Sequence, residues 1–273
     1  MGLVVLTNEG IEHRYVVSAI ADAFAEELDA IIISDPPRKS LRAQLATYKR
    51  RYTRRQFASR VAASLYKAVT RANAHRAETY RRILFAGGDP GRLPRQDLVR
   101  VVPSHNGDQA LALLEKLQPE VIAVFGTLII RPPVIRKARR AILNMHTGIS
   151  PRYRGTDTVF WPLHNEEPEW VGVTIHQLDE GIDSGPILHV GRPAIEPNDD
   201  DASLFAKCIA VGAPLYVQAI RDALAGRLHG ESQRLEEGRN YLGVERTIGA
   251  ELRVRRLLRR GLLCHRDLER AQL

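Results

Sequence analysis

The stretch GLVVLTNEGIEHRYVVSAIADAFAEELDAIIIS, residues 2–34, decides the fold class. It contains a strand-length apolar run at 2–7, apolar residues at helical spacing over 13–27, and a second apolar run at 29–34. Neither run alternates between apolar and polar residues, so we expect both faces of these strands to be covered. The stretch therefore predicts a strand–helix–strand unit of a parallel sheet in an α/β protein.

The pattern continues after a long interruption. Further strand-length apolar runs lie at 98–102, 120–125, 142–145, 171–177 and 187–190. Helices are predicted over 109–117 and 202–225. We therefore predict a doubly wound, mostly parallel sheet with an insertion at 38–82. A catalytic domain is predicted over 1–228, followed by a basic C-terminal extension over 229–273.

The basic charge of the chain is concentrated in two segments. The 273 residues are 44% hydrophobic and 26% charged, which is the range of ordinary globular proteins, and the net charge is +8. Residues 38–82 contain 14 Lys and Arg against the single acid Glu78, and residues 253–273 contain seven Arg against two acids. The remainder is net acidic, so the charge predicts local anionic contacts rather than a nucleic-acid-binding protein as a whole.

Two classes of segment are not indicated. No run approaches the roughly 18 to 20 apolar residues of a membrane span, and the short apolar start lacks the basic region of a secretory signal. Cys208 and Cys264 do not make a disulfide framework. We expect a cytoplasmic protein without a transmembrane segment.

Apolar residues within the insertion follow one face of a helix. They are Phe57, Val61, Leu65, Ala68 and Ala72, and basic residues lie off this stripe. Three interpretations are open: a solvated helix that packs its stripe on the body, a clamp for a phosphate-bearing substrate, or a helix on an anionic membrane surface.

The densest candidate for chemistry is NMHTGISPRYRG at 144–155, followed by GVTIHQLDEGIDSGPIL at 172–188. Asn144 and His146 are two residues apart at the end of a predicted strand, so their side chains project on the same side of it. In an open parallel sheet that end borders the ligand crevice. Asp183 follows in a turn rich in carboxylates.

These three side chains fit acyl transfer to an amine. Asn144 and a protonated His146 donate N–H groups to the oxyanion that develops as the amine attacks. Asp183 favours the charged imidazole and accepts the proton of the amine, directly or through water. No residue of the protein has to become acylated.

The order of these residues and the segments on either side of them resemble those of the formyltransferase family that uses 10-formyltetrahydrofolate. That family includes methionyl-tRNA formyltransferases, phosphoribosylglycinamide formyltransferases and amino-sugar N-formyltransferases. The resemblance is strong over 98–188 and extends to 1–34 only in pattern. It implies the Rossmann-like formyltransferase fold, with Asn144, His146 and Asp183 as the catalytic trio.

The resemblance also implies a site for 10-formyltetrahydrofolate as co-substrate, without a metal ion. Its pterin is expected between a loop and a turn formed by Phe125, Gly126, Leu128, Ile129, Ile130, Asp179, Glu180 and Gly181. A flat heterocycle needs apolar walls and a few backbone partners. The alternative interpretation of 127–130 is simply a buried apolar loop.

Contacts to the acceptor are expected from residues near the same sheet edge. They are Asn8, His13, Arg14, Tyr153 and Arg154. The first three follow the first strand and lie at the N-terminus of the next helix, a place that suits a phosphate. The alternative interpretation is that they only cap that helix. Arg154 holds an anionic part of the acceptor or merely fixes its loop. We interpret His176 as a packed or supporting histidine rather than a catalytic one.

The identity of the acceptor is inferred by elimination. Residues 7–12 lack the Gly-Ser-rich phosphate loop expected of a glycinamide ribonucleotide enzyme. The segment 226–273 is too short for the β-barrel domain expected of a methionyl-tRNA formyltransferase. A phosphate-bearing amino sugar, linked to a nucleotide or a lipid, is the expected substrate. The alternatives are those two acceptors, hydrolysis of 10-formyltetrahydrofolate, and a non-catalytic RNA- or membrane-binding module. A homo-oligomer is compatible with the sequence.

Overall fold

The computed structural model describes residues 2–37, 40 and 53–264. Its strands are β1 (Leu3–Thr7), β2 (Leu28–Ser34), β3 (Val99–Val102), β4 (Val121–Val124), β5 (Ala141–His146), β6 (Tyr153–Gly155), β7 (Val173–Gln177), β8 (Ile187–Gly191) and β9 (Arg239–Tyr241). Its helices are α1 (Ile11–Ala23), α2 (Arg54–Val69), α3 (Ala72–Leu84), α4 (Asp108–Leu117), α5 (Pro132–Ile135), α6 (Phe160–His164), α7 (Asp201–Leu224) and α8 (Ile248–Arg259).

Seven strands form one mixed sheet in the order β3-β2-β1-β4-β5-β7-β8. The strands from β3 to β5 are parallel, whereas β7 and β8 are antiparallel to their neighbours. This confirms the predicted α/β, mostly parallel sheet. The strand order reverses between β1 and β4, so a ligand crevice is expected beyond their carboxyl ends. Strands β6 and β9 form a separate parallel pair.

Apolar residues cover both faces of the sheet. All five residues of β1 are buried, as its unbroken apolar sequence requires. Helices α1 and α7 pack on one face, and the other face carries a smaller apolar cluster that includes α4 and α5. The buried hydroxyl of Tyr216 in α7 lies 2.9 Å from the carbonyl oxygens of both Val124 and Leu143, so it links β4 to β5.

Helix α7 has the length and hydropathy of a membrane-spanning helix. In the fold it is a core helix, because 56% of its most apolar window is buried inside the protein. It begins at a capping box in which the Asp200 carboxylate accepts the backbone N–H groups of Ala202 and Ser203.

In the described part of the insertion from residue 53 on, the chain forms two helices rather than the one continuous helix that the stripe predicts. Helix α2 starts at a Thr53 capping box with Gln56, and Arg71, in the left-handed region at φ 52°, separates it from α3. Ala72 therefore belongs to the next helix. The packed interpretation of the stripe is wrong, because Val61 and Leu65 are exposed. The parts of the insertion at 38–39 and 41–52, and of the extension at 265–273, lie outside the described residues.

Candidate active site

The predicted trio converges at the carboxyl end of β5. Asn144 and His146 lie on β5, where they pair across the sheet with His176 and Thr174 of β7. The chain then turns after β7 and brings Asp183 back over the end of β5. Asp183 takes a left-handed backbone conformation, with φ 47°, which Asp adopts more readily than most residues.

The Asp183 carboxylate is the centre of the cluster. Its Oδ1 lies 3.4 Å from Asn144 Nδ2, and its Oδ2 lies 3.5 Å from His146 Nδ1. The backbone N–H of Gly155, from β6, donates to Oδ2 at 2.9 Å. The structure therefore brings all three predicted catalytic side chains together, with a backbone donor that sequence reasoning did not identify.

His146 is held from both ring nitrogens. Its Nε2 lies 2.9 Å from the carbonyl oxygen of Tyr153, and a carbonyl only accepts, so Nε2 carries a proton. Its Nδ1 faces the Asp183 carboxylate. Both surroundings suit a charged imidazolium, since each ring nitrogen then donates to an oxygen.

His176 belongs to the same cluster, as its interpretation as a supporting histidine predicts. It is fully buried, and its Nδ1 lies 2.7 Å from the carbonyl oxygen of Gln177, so Nδ1 carries the proton of the neutral ring. Its Nε2 then accepts from Asn144 Nδ2 at 3.1 Å. This contact fixes which way the Asn144 amide points.

The surroundings of Asp183 keep its carboxyl group ionised. Burial alone would raise its pKa, but the charge of His146 and the N–H of Gly155 lower the pKa well below its usual range. A carboxylate with so low a pKa is a weak base. Its geometry therefore suits charge support of His146 better than storage of a proton.

Gln233 is a second group that the sequence did not reveal. Its Nε2 donates to the carbonyl oxygens of Asp183, at 2.9 Å, and Gly185, at 2.6 Å. It therefore clamps the backbone of the catalytic turn from the C-terminal extension. A glutamine between polar residues, fifty positions downstream, carries no sequence signal that would have connected it to Asp183.

The predicted loop after β4 presents an apolar surface at the sheet edge. Leu128 is 81% exposed and Ile129 is also exposed, whereas Phe125 and Ile130 are buried. The interpretation of 127–130 as a buried loop is therefore wrong for its tip. Asn106 fixes this tip, because its amide donates to Ile129 O at 2.9 Å and its oxygen accepts Arg131 N–H at 2.7 Å.

Gly126 in this loop is required by its surroundings. Its φ is 62°, and a Cβ placed there would lie 2.3 Å from Cε1 of His13. The opposite turn is organised by Asp179, whose Oδ1 accepts from Gly181 N and Ser184 Oγ. Glu180 is exposed and lies 3.5 Å from Arg136. An apolar wall on a fixed loop, facing a polar turn, fits a flat heterocycle such as a pterin.

The predicted acceptor residues after β1 surround Gly126 rather than the trio. Asn8 donates to Gly126 O at 2.7 Å and accepts from Ser34 Oγ. His13 is buried, with Nδ1 2.8 Å from Thr7 Oγ1, and burial lowers its pKa to about 4. Arg14 donates to Gly91 O at 2.7 Å. These contacts tie together the ends of β1, β2 and β4.

The other two predicted acceptor residues lie on β6. The Tyr153 hydroxyl donates to Glu167 at 2.6 Å and accepts from Asn165, so the phenol meets no side chain of the trio. It lines a separate polar cavity of about 230 Å³. Arg154 donates to Leu235 O at 3.3 Å, and its Nε is buried without a hydrogen-bond partner. Their contacts to an acceptor stay predictions.

Two further observations concern metal ligands and thiols among the described residues. No group of three His, Cys, Asp or Glu side chains in residues 2–37, 40 and 53–264 is placed to hold a metal ion. Cys208 is buried, and burial raises the pKa of its thiol above the usual range.

Comparison with known proteins matches the chain to one family. A model described as formyl transferase matches residues 60–220. The methionyl-tRNA formyltransferase of Aromatoleum aromaticum is 33% identical over 141 residues, which cover 51% of this chain and 44% of that protein. The chain therefore spans less than half the length of this curated relative.

Two solved structures share the fold. The N-formyltransferase of Helicobacter canadensis, in complex with folinic acid and dTDP-3-aminofucose, has a TM-score of 0.53 and 16% identity, and the match covers 89% of this chain and 71% of that one. Glycinamide ribonucleotide transformylase 1 of Symbiobacterium toebii has a TM-score of 0.54 and 20% identity, with 85% and 92% covered. The three proteins have different acceptors in their names, so the comparisons leave the acceptor open.

Proposed function

The chain belongs to the formyl transferase family, and we propose that it transfers a formyl group from 10-formyltetrahydrofolate to a primary amine of an amino sugar. The observation that carries the proposal is the Asp183 carboxylate, which contacts Asn144, His146 and the Gly155 N–H at one end of β5. This arrangement places the amide of Asn144, the ring of His146 and the negative charge of Asp183 together at the end of β5.

The donor is assigned to the loop after β4. Leu128 and Ile129 supply an apolar wall there, and the turn of Asp179 lies on the side of the trio. Bound in this place, 10-formyltetrahydrofolate supplies an activated formyl group on a nitrogen that can leave. The neighbouring Helicobacter canadensis protein was solved with folinic acid, which supports a folate site in this fold.

The residues of the trio act on the charge that develops as the amine attacks. The formyl oxygen, where negative charge grows, accepts from Asn144 Nδ2 and His146 Nε2 in place of their present contacts with Asp183 Oδ1, at 3.4 Å, and with the Tyr153 carbonyl oxygen, at 2.9 Å. Asp183 stabilises the protonated His146 and attracts the positive charge that forms on the amine. As the bond from the formyl carbon to the donor nitrogen breaks, His146 gives its proton to that nitrogen and takes up the proton that the amine releases. His176 holds the Asn144 amide in the donating orientation.

The acceptor class rests on the residues after β1. Asn8 and His13 are occupied by Gly126 O, Ser34 and Thr7, so their side chains do not form a phosphate cradle like that of a glycinamide ribonucleotide site. An amino sugar linked to a nucleotide or a lipid remains the acceptor that we propose. Its phosphate is assigned to the neighbourhood of Arg154 on β6.

A panel of acceptors tests the proposal. The full chain is incubated with 10-formyltetrahydrofolate and nucleotide-linked amino sugars, glycinamide ribonucleotide or methionyl-tRNA, and products are identified by mass spectrometry. We expect a formylated amino sugar, and no product with Asn144→Ala or His146→Ala. Formylation of glycinamide ribonucleotide or methionyl-tRNA alone would overturn the acceptor class. Release of formate without any acceptor would indicate a hydrolase instead.

A further inference from the structure

The fold brings the two basic segments of the sequence together on one surface. Helix α2 of the insertion packs against α8 of the C-terminal extension. At their contact, Arg255 Nη1 donates to the Tyr66 hydroxyl at 3.3 Å. We call these two helices the α2–α8 surface.

Helix α2 carries a row of aliphatic side chains that face solvent. Val61, Leu65 and Val69 are four residues apart, so they follow one side of the helix. They are 43%, 62% and 84% exposed, respectively. The residues of α2 that are partly buried lie on another side: Ala62, Ala63 and Tyr66. The exposed row is therefore not the side by which α2 packs on the protein.

Positive charge surrounds this row. Exposed arginines of the two helices and their ends are Arg54, Arg71, Arg253, Arg255, Arg256, Arg259 and Arg260, of which Arg253 forms an ion pair with Glu166. Glu251 is the one acid in the sequences of α2 and α8, and it bonds the buried Arg246. The α2–α8 surface thus combines a basic rim with an aliphatic stripe.

We propose that the α2–α8 surface binds the surface of an anionic phospholipid bilayer. In this arrangement α2 lies parallel to the membrane, with Val61, Leu65 and Val69 among the upper acyl chains and the arginines at the headgroup phosphates. Basic helices with an aliphatic face bind membranes in this way, and acidic lipids attract each nearby Arg.

The aliphatic character of the stripe distinguishes a bilayer from RNA. RNA phosphates attract the same arginines, but single-stranded bases need aromatic faces to stack on. Phe57, at one end of the stripe, is 37% exposed, whereas the more exposed Val61, Leu65 and Val69 provide no such face. Transfer of an exposed aliphatic row from water to acyl chains lowers the free energy, and salt does not screen this contribution as it screens the attraction between charges.

Vesicle sedimentation of the full chain tests the proposal. We expect binding to phosphatidylcholine vesicles that contain phosphatidylglycerol, and little binding to phosphatidylcholine alone. The double variant Leu65→Glu, Val69→Glu should weaken binding at least tenfold. Arg255→Glu should weaken it about fivefold or more, because each nearby basic charge contributes about that factor. The matched control is Val101→Glu, a similarly exposed valine on β3, which should bind as the unaltered chain does.

A fluorescent variant provides a second measurement. In Leu65→Trp, addition of anionic vesicles should shift the emission of the new tryptophan to shorter wavelength as its ring leaves water. Absence of vesicle binding at low salt, or an unshifted emission on binding, would overturn the proposal. Equal binding by the double variant would overturn it as well, and tighter binding to RNA under the same conditions would identify an RNA surface.

The proposal does not depend on formyl transfer. Val61, Leu65 and Val69 lie outside the trio and outside the assigned donor loop, so the double variant should keep the formyl-transfer rate of the unaltered chain towards a soluble acceptor. Failure of the membrane-binding proposal therefore leaves the formyl-transfer proposal intact, and the reverse is also true.

Discussion

Gln233 Nε2 lies 2.9 Å from the carbonyl oxygen of Asp183 and donates a hydrogen bond to it. The catalytic turn is therefore held at its backbone by the C-terminal extension, while Gly155 holds the carboxylate itself. Gly155 belongs to β6, which pairs with β9 of the same extension. Contacts to Asp183 thus cross the predicted boundary at residue 228.

Replacement of Gln233 should slow the reaction without loss of donor binding. In Gln233→Ala the turn at Asp183 loses two hydrogen bonds, and a displacement of about 1 Å at a reacting group reduces turnover by up to about a hundredfold. We expect kcat to fall about ten- to a hundredfold, with the affinity for folinic acid, measured by titration calorimetry, unchanged. Hydrogen exchange at 179–185 should accelerate.

Two further variants separate positioning from stability. Gln233→Glu keeps the volume but removes both donors, so it should behave as Gln233→Ala does. Gln218 of α7 makes an exposed bond to Asp222 far from the trio, and Gln218→Ala should leave kcat and the exchange at 179–185 unchanged. A general fall in the unfolding temperature and in folinic acid affinity would show a purely structural role.

Loss of charge at Asp183 should affect turnover far more than binding. Asp183→Asn keeps the shape of the side chain but removes the charge that supports His146. We expect turnover to fall about 10²- to 10⁴-fold, the range associated with charge support and proton transfer. Steady-state kinetics and folinic acid titration check this together. Parallel losses in both would instead indicate that Asp183 mainly shapes its turn.

The sequence predicted those features that local patterns determine. Unbroken apolar runs predicted the strands that became β1 and β2, since residues buried on both faces leave no polar alternation. The spacing of Asn144 and His146 predicted a shared side of β5. Asp183 was grouped with them on the combined chemistry of an amide, an imidazole and a carboxylate and on the family resemblance, because no local pattern shows how far a turn reaches.

Long-range contacts account for what the sequence did not predict. Gln233 meets Asp183 fifty residues away, and Arg255 meets Tyr66 across most of the chain. The stripe of α2 has the period of a packed helix, but period alone does not say whether protein, solvent or another molecule faces it. Which of these faces the stripe depends on which side of α2 packs against α8.

Gly126 should tolerate a side chain less well than Gly91. Both have a left-handed backbone, with φ 62° and 59°, but a Cβ at Gly126 meets His13 at 2.3 Å whereas a Cβ at Gly91 meets nothing within 4 Å. Gly91→Ala should cost about 1 kcal/mol of unfolding free energy for its backbone conformation. Gly126→Ala should cost about 2 kcal/mol more because of the collision. Urea denaturation measures both, and equal losses would contradict the collision.

Buried His13 should make stability depend on pH. Its pKa is lowered by burial to about 4 in the folded protein, against an ordinary value of 6.5 that applies to the unfolded chain. Between these values the unfolded chain binds the proton and the folded chain does not, so the free energy of unfolding falls as the pH falls. The contribution of His13 is complete above about pH 6.5 and about 3 kcal/mol smaller near pH 4.

His13→Gln removes this dependence, so its stability should fall less than that of the unaltered chain between pH 7.5 and 4.5. His229→Gln, an exposed histidine, should follow the unaltered chain. Urea denaturation at several pH values checks this, and parallel curves for all three proteins would show that His13 takes up its proton without opening the fold.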